Sequence, residues 1–295
     1  MNRRNFLKSS FLLSSAGFLL PKSINFRSLV GLDDDYEIKK CKEKLASLDL
    51  LYKNFPVNEI ISYVGKSFIG IPYEAGTLDV NVNKEELIIK VTGLDCVTFV
   101  ENTLAMSRLI KKGDASFDVF KNELKLIRYR NGIIDNYPSR LHYFTDWIYD
   151  NQRKGLVEDI TKEIGGKKYD KNINFMTTHT GSYTQLKTNP EYVNSLQVIE
   201  DEINQRQLYY IPKSKVDKYY NTLKTGDIIA TTTDINGLDV THTGYIYKDD
   251  SGTYFLHASI VKKEVIITDV ELKEYLMGNK KQTGIIVARP MELNL

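Results

Sequence analysis

The sequence predicts an α+β fold, with helices through the first two thirds of the chain and an antiparallel sheet near its end. Three observations carry this. Apolar residues recur at helical spacing between residues 33 and 68 and again after Cys96. Short β-rich runs bounded by turn residues follow Gly226, and Asp249-Asp250-Ser251-Gly252 joins two of them as a hairpin. With 295 residues and 42% hydrophobic content, the chain can bury a substantial core in one domain.

Residues 1–30 read as an export signal and leader. Asn2-Arg3-Arg4-Asn5-Phe6-Leu7-Lys8 is a charged start, and the apolar run from Ser9 to Leu20 is too short and serine-rich to span a bilayer securely. The Arg-Arg-x-Phe-Leu-Lys pattern resembles a twin-arginine signal, so an exported, periplasmic protein with no stable membrane span after processing is expected. An uncleaved anchor is the alternative. Residues 31–295 then read as a single domain with an insertion at about 114–210.

Within that domain, residues 33–53 read as a helix whose buried face carries Cys41, Leu45, Leu48 and Leu51. A second helix is expected at 57–68. A loop from residue 70 leads to a strand at 87–91, after which Asp95 caps a helix with Val97, Val100, Leu104 and Ile110 on one side. Residues 117–130 suit a further helix, and a loop from 133 ends as a helix around Trp147. Residues 156–161 look strand-like, Gly165-Gly166-Lys167-Lys168 marks an exposed turn, and Pro190 opens a helix to about residue 207. Strands are expected at 227–230, 243–247, 254–258, 265–268 and 285–288. Gly-Leu-Asp occurs at 93 and at 237, opening a helix once and a strand once, so it marks no duplication.

Cys96 sits where the 87–91 run gives way to a helix. In a first helical turn, free backbone N–H groups and the positive end of the dipole favour a thiolate. On residue type alone a buried structural thiol is the plainer reading. Against it stand His242 and His257, one in each strand of the hairpin. With an even loop they project from the same face, opposite or diagonal to each other, at roughly 5–8 Å. A nucleophile, a base and a group that orients the base activate a cysteine for acyl transfer. Cys41 is expected to stay free, because a disulfide would abolish a Cys96 thiolate.

The stretches Gly93-Leu94-Asp95-Cys96-Val97-Thr98-Phe99-Val100-Glu101, Ser139-Arg140-Leu141-His142-Tyr143-Phe144-Thr145-Asp146-Trp147 and Gly237-Leu238-Asp239-Val240-Thr241-His242, with Leu256-His257-Ala258, resemble the NlpC-type papain-like cysteine hydrolases of bacterial cell walls. More narrowly, they resemble the branch catalogued as domain of unknown function 1460. The resemblance implies a papain-like core, with a nucleophile-bearing helix packed on an antiparallel sheet plus helical insertions. It also implies an N-acetylmuramoyl-L-alanine amidase acting on muropeptides, notably 1,6-anhydro ones. In that reading Cys96 is the nucleophile, His242 the base and then acid, and His257 the orienting member. Tyr73 occupies the position of a tyrosine that assists the oxyanion, beside the N–H of Cys96; its alternative is a packed aromatic.

The resemblance also makes the intervening segments shape the substrate cleft. Arg140, His142, Tyr143, Trp147 and His179 are the binding candidates, as flat apolar faces and hydrogen-bond donors suited to a sugar or peptide; for the aromatics among them core is the plainer reading, while Arg140, His142 and His179 are the stronger candidates because buried charge must be paired. A γ-D-glutamyl-diaminopimelate endopeptidase and a catalytically silent muropeptide-binding module are the competing functions. Charge and motifs narrow the partners. A net charge of +2 gives no basic asymmetry for nucleic acid, and four scattered histidines with no H-E-x-x-H or C-x-x-C lack metal-ligand spacing, so no cofactor is expected.

Overall fold

The computed structural model describes residues 26–293, with side chains from residue 34 onward. The first 25 residues of the expected leader lie outside the described residues. Helix α1 (Phe26–Ala46) begins within the last residues of that expected leader. It is followed by α2 (Val57–Lys66), α3 (Cys96–Lys112), α4 (Phe117–Arg128) and α5 (Phe144–Arg153). Then come β1 (Val157–Asp159), β2 (Lys167–Lys168), α6 (Phe175–Thr178), α7 (Thr184–Thr188) and α8 (Pro190–Asn204). The chain ends in β3 (Tyr209–Pro212), β4 (Ile228–Thr233), β5 (Val240–Asp249), β6 (Gly252–Ser259), β7 (Glu264–Ile267), α9 (Leu272–Gly278) and β8 (Gln282–Pro290). Helices followed by a late sheet make this α+β, as the sequence predicts. Among the described residues no helix is long and apolar enough to cross a membrane.

The sheet is antiparallel throughout, in the order β2-β3-β8-β4-β5-β6-β7, with β1 also beside β8. Side chains alternate between its faces. On one face Tyr245, Leu256 and Ala258 meet α2, α3 and α4, burying Ile60, Ile61, Phe99, Leu104 and Phe120. Phe99 stands edge-on to Tyr245 at 5.8 Å, and the Tyr245 hydroxyl donates to the Val100 carbonyl at 2.7 Å. On the other face Ile229, Ile246, Phe255 and Val287 pack against Leu272 and Leu276 of α9. A third apolar cluster, from Tyr137 to Ile203, holds α6, α7 and α8 together. Helix α4 lies outside it, contributing Phe120, Leu124 and Ile127 to the main core.

Three local expectations need correction. The helix expected at 33–53 ends at Ala46, and Leu51, expected on its buried face, lies in a separate 3-10 turn and is 81% exposed. Residues 87–91 form no strand and join none of the sheet's ladders. Side chains satisfy their backbone instead: the Glu37 carboxylate accepts the Val91 N–H, Arg128 donates to the Ile88 carbonyl, and Asn102 donates to that of Lys90. The alternation of Leu87 and Ile89 thus reflects one-sided burial rather than a ladder. Lys167 and Lys168, expected in a turn, form β2 against Tyr210 and Tyr209, with the turn falling just before them.

Candidate active site

Helix α3 starts at Cys96 because Asp95 and Thr98 cap it reciprocally. The Asp95 carboxylate accepts the Thr98 N–H at 2.8 Å, and the Thr98 hydroxyl accepts the Asp95 N–H at 2.9 Å. A Cβ on the preceding Gly93 would displace the exposed Glu74 carboxylate, which packs over it. Leu94 pairs in parallel with Tyr73, its N–H reaching the Pro72 carbonyl at 3.0 Å, so Tyr73 is carried beside the start of α3. Cys96 is half-buried and free of any disulfide.

On the sheet side, the hairpin loop between Asp249 and Gly252 has two residues, which puts His242 and His257 on one face in diagonal register. Their rings lie 4.8 Å apart, just under the expected range, and His242 Nε2 meets His257 Nδ1 at 2.6 Å. Both are buried. Phe255 stacks on His257 at 4.5 Å and stands edge-on to His242 at 5.6 Å, so neither ring has freedom to turn. The β5–β6 ladder stops at Tyr245 and Leu256. Beyond it the Thr243 N–H points at the sulfur of Cys96, bringing the thiol alongside the strand that bears His242.

The electrostatics differ from the thiolate expected of a helix start. Burial and the Asp95 carboxylate push the Cys96 thiol up to about 12, outweighing the N–H groups of Thr243, Cys96 and Val97 that favour the anion. Burial takes His242 down to about 4, and takes His257 lower still with added repulsion from His242. The resting pair is a thiol and a neutral imidazole. Burial, with Cys96 and Asp95 nearby, also raises Tyr73, keeping its phenol protonated and able to donate.

Cys96 thus lies near Tyr73 and against the strand that bears His242, itself bonded to His257, whereas of the expected binding residues only His179 is exposed. Trp147 is fully buried and stacked on Phe144 at 4.8 Å, so it supports the core and offers no face to a ligand. Tyr143, also buried, donates to Glu200 at 2.6 Å and accepts the Met176 N–H. Arg140 is engaged by Asp79 at 2.6 Å and Glu85 at 3.4 Å. His142 Nε2 donates to the Tyr137 carbonyl at 2.8 Å, and burial drives its ring down to about 3. His179 is exposed, but its ring stacks on Phe175 at 4.1 Å and its Nδ1 reaches the Phe175 carbonyl.

The sequence also missed Tyr275 and Gln282. Tyr275 packs against His257 at 5.2 Å, and both residues line a cavity of about 570 Å³ with the two histidines. No sequence signal marks them, because α9 reads only as a short run with two apolar anchors.

The family model described as N-acetylmuramoyl-L-alanine amidase-like matches residues 63–285. This chain belongs to that N-acetylmuramoyl-L-alanine amidase-like family. An N-acetylmuramoyl-L-alanine amidase from Bacteroides uniformis is similar over 80% of this chain and 99% of its own, at 36% identity and a TM-score of 0.76. A Bacteroides fragilis protein provisionally called a xylanase is 39% identical over 77% of this chain and 99% of its own, at a TM-score of 0.73. A Legionella pneumophila protein of the domain-of-unknown-function-1460 family shares the fold at 20% identity, with a TM-score of 0.61 over 90% of this chain and 97% of its own. No curated protein matches the chain at a significant level.

Proposed function

We propose that this amidase-like family member is a peptidoglycan hydrolase that uses Cys96 to cut the bond between the lactyl carbonyl of N-acetylmuramic acid and L-Ala, with 1,6-anhydro muropeptides as preferred substrates. The observation that carries the reading is Cys96 at the capped start of α3, met by the N–H of Thr243, the residue next to His242, whose ring is bonded to His257. With Nε2 of His242 bonded to His257, Nδ1 is the nitrogen left to take the thiol proton. The sulfur attacks the carbonyl carbon as that proton moves, so no free thiolate is needed. Negative charge on the oxygen falls towards the N–H of Cys96 and the protonated Tyr73 phenol. Collapse breaks the C–N bond, and His242 returns the proton to the departing amine of L-Ala. Water, deprotonated by His242, then opens the thioester and frees the lactyl carboxylate and the thiol.

Glycosidase chemistry has less support. Most glycosidases use two flanking carboxyl groups, and among the described residues the cavity beside the histidines is lined by one, Asp269. The charged and then apolar leader supports action outside the cytoplasm. Mass spectrometry of products tests the cut. A disaccharide-peptide should yield free disaccharide and a peptide beginning with L-Ala, while a sugar-free stem peptide remains whole. Cleavage of the sugar-free peptide after D-Glu would replace this reading with the endopeptidase, and equal activity of Cys96→Ala would remove the cysteine mechanism altogether.

A further inference from the structure

The 570 Å³ cavity has His242 and His257 in one wall, yet the mechanism uses only their nitrogens and leaves the space itself unassigned. Its other walls are mostly apolar, from Ile235, Ile260, Val261, Ile266, Val270 and Tyr275. Its charged lining is one-sided: Lys262, Lys280 and Lys281 against the single carboxylate of Asp269. Lys262 reaches Asp269 at 3.2 Å, both being exposed, while Lys280 is exposed with no ion-pair partner among the described residues. The β6–β7 turn bearing Ile260 to Lys262 is also tied to the reacting end of the site. The next residue, Lys263, accepts the Tyr73 N–H at 2.8 Å through its carbonyl.

We propose that this cavity is the subsite for the peptide side of the scissile bond, and that Lys262 and Lys280 select peptides bearing carboxylates. The inference rests on the amidase reading for which bond is cut, and on the cavity alone for what is held. Of the two halves of the substrate, the saccharide is uncharged and rich in hydroxyls, which suits walls of isoleucine and valine poorly. A short acidic peptide offers methyl and methylene surface to those walls and carboxylates to the lysines. The lysines lie at the solvent edge, so they attract and orient the peptide without a buried, desolvated ion pair.

The test is calorimetric titration of the Cys96→Ala protein with the stem peptide L-Ala-D-Glu-diaminopimelate, and with the same peptide carrying amidated carboxylates. The acidic peptide should bind, and Lys262→Glu/Lys280→Glu should weaken it at least about tenfold, while the amidated peptide binds weakly to both proteins. The milder Lys280→Gln should lose part of the affinity, which guards against misfolding of the double variant. Raising the salt should weaken the acidic peptide as reversal does. An affinity within about twofold of the parent after reversal, in a protein with unchanged circular dichroism, overturns the proposal. Charge-dependent peptide binding in a protein that cuts no disaccharide-peptide would keep this subsite while removing the amidase reading. Normal cutting of disaccharide-peptides with charge-independent peptide binding would do the opposite.

Discussion

Thiol and imidazole are both uncharged in the resting site, and this fixes how reactivity depends on pH. Cys96 is held up near 12 by burial and Asp95, and His242 down near 4 by burial. The competent form, a thiol beside a neutral base, therefore persists across the neutral range. The kcat/KM profile should fall on the acid side near the low His242 value and stay flat well past neutrality. Alkylation of Cys96, which needs the thiolate, should keep accelerating through pH 9 without a plateau. A bell centred near neutrality, with alkylation saturating below pH 7, would mean a preformed ion pair instead. Asp95→Asn separates capping from charge: asparagine caps about as well as aspartate, but the repulsion that raises the thiol is gone. It should speed alkylation at pH 8 and change the Tm little; an unchanged rate would remove Asp95 as a cause. His242→Ala should cost roughly 10²-fold or more in kcat, and His257→Ala less, since it frees the ring of the base while leaving the base in place. The reverse order would exchange their roles.

At the scale of elements, the two Gly-Leu-Asp segments do the same job in different settings, joining a distant loop to the start of a functional element. The first joins Tyr73 to α3 through Leu94 and caps the helix through Asp95. In the second, Gly237 has a φ of 77° and its carbonyl accepts the N–H groups of Asn174 and Phe175. Buried Asp239 then accepts the N–H and hydroxyl of Thr145, at the start of α5, and the N–H of Val240 in β5. Asp239→Ala would leave these buried donors unpaired, so chemical denaturation should show a loss of about 3 kcal/mol. A loss below about 0.5 kcal/mol would mean that water or a shifted loop replaces the carboxylate. The sequence made the cap and the hairpin visible because both are local: cap residues stand at fixed spacing, and a two-residue loop sets the register. It left residues 87–91 misread, since the partners that satisfy their backbone come from Glu37, Asn102 and Arg128. Trp147 stands among the groove candidates with core as its plainer reading, because an aromatic in a polar segment looks the same whether it points outward or into the core; the fold buries it.

For the whole molecule, the helical layer and the late sheet were legible from periodicity. The cavity beside the histidines was not, because it is assembled from the ends of β5, β6, β7, α9 and β8. Assembly from distant segments has a second consequence, in the response to acid. His142, from the loop before α5, is packed against Tyr137 at 4.3 Å, and its ring is driven from 6.5 to about 3 by burial and then by Arg140. In the unfolded chain this histidine takes up a proton near its ordinary value; in the folded chain it does not until far lower pH. Unfolding therefore binds a proton between those values, and His142 lowers stability progressively as pH falls from about 6.5 towards 3. The raised carboxyl groups of Glu101 and Asp239 act in the opposite sense, so the Tm of the native protein alone mixes the two. A comparison with His142→Gln separates them, because glutamine keeps a donor for the Tyr137 carbonyl and the carboxyl groups are common to both proteins. The substituted protein should be the less stable at pH 7.5, through poorer packing, and should gain steadily on the native one as the buffer is taken to pH 4. If the difference in Tm stays constant across that range, the ring either is protonated in the folded state or never reaches water on unfolding, and burial is not what sets its charge.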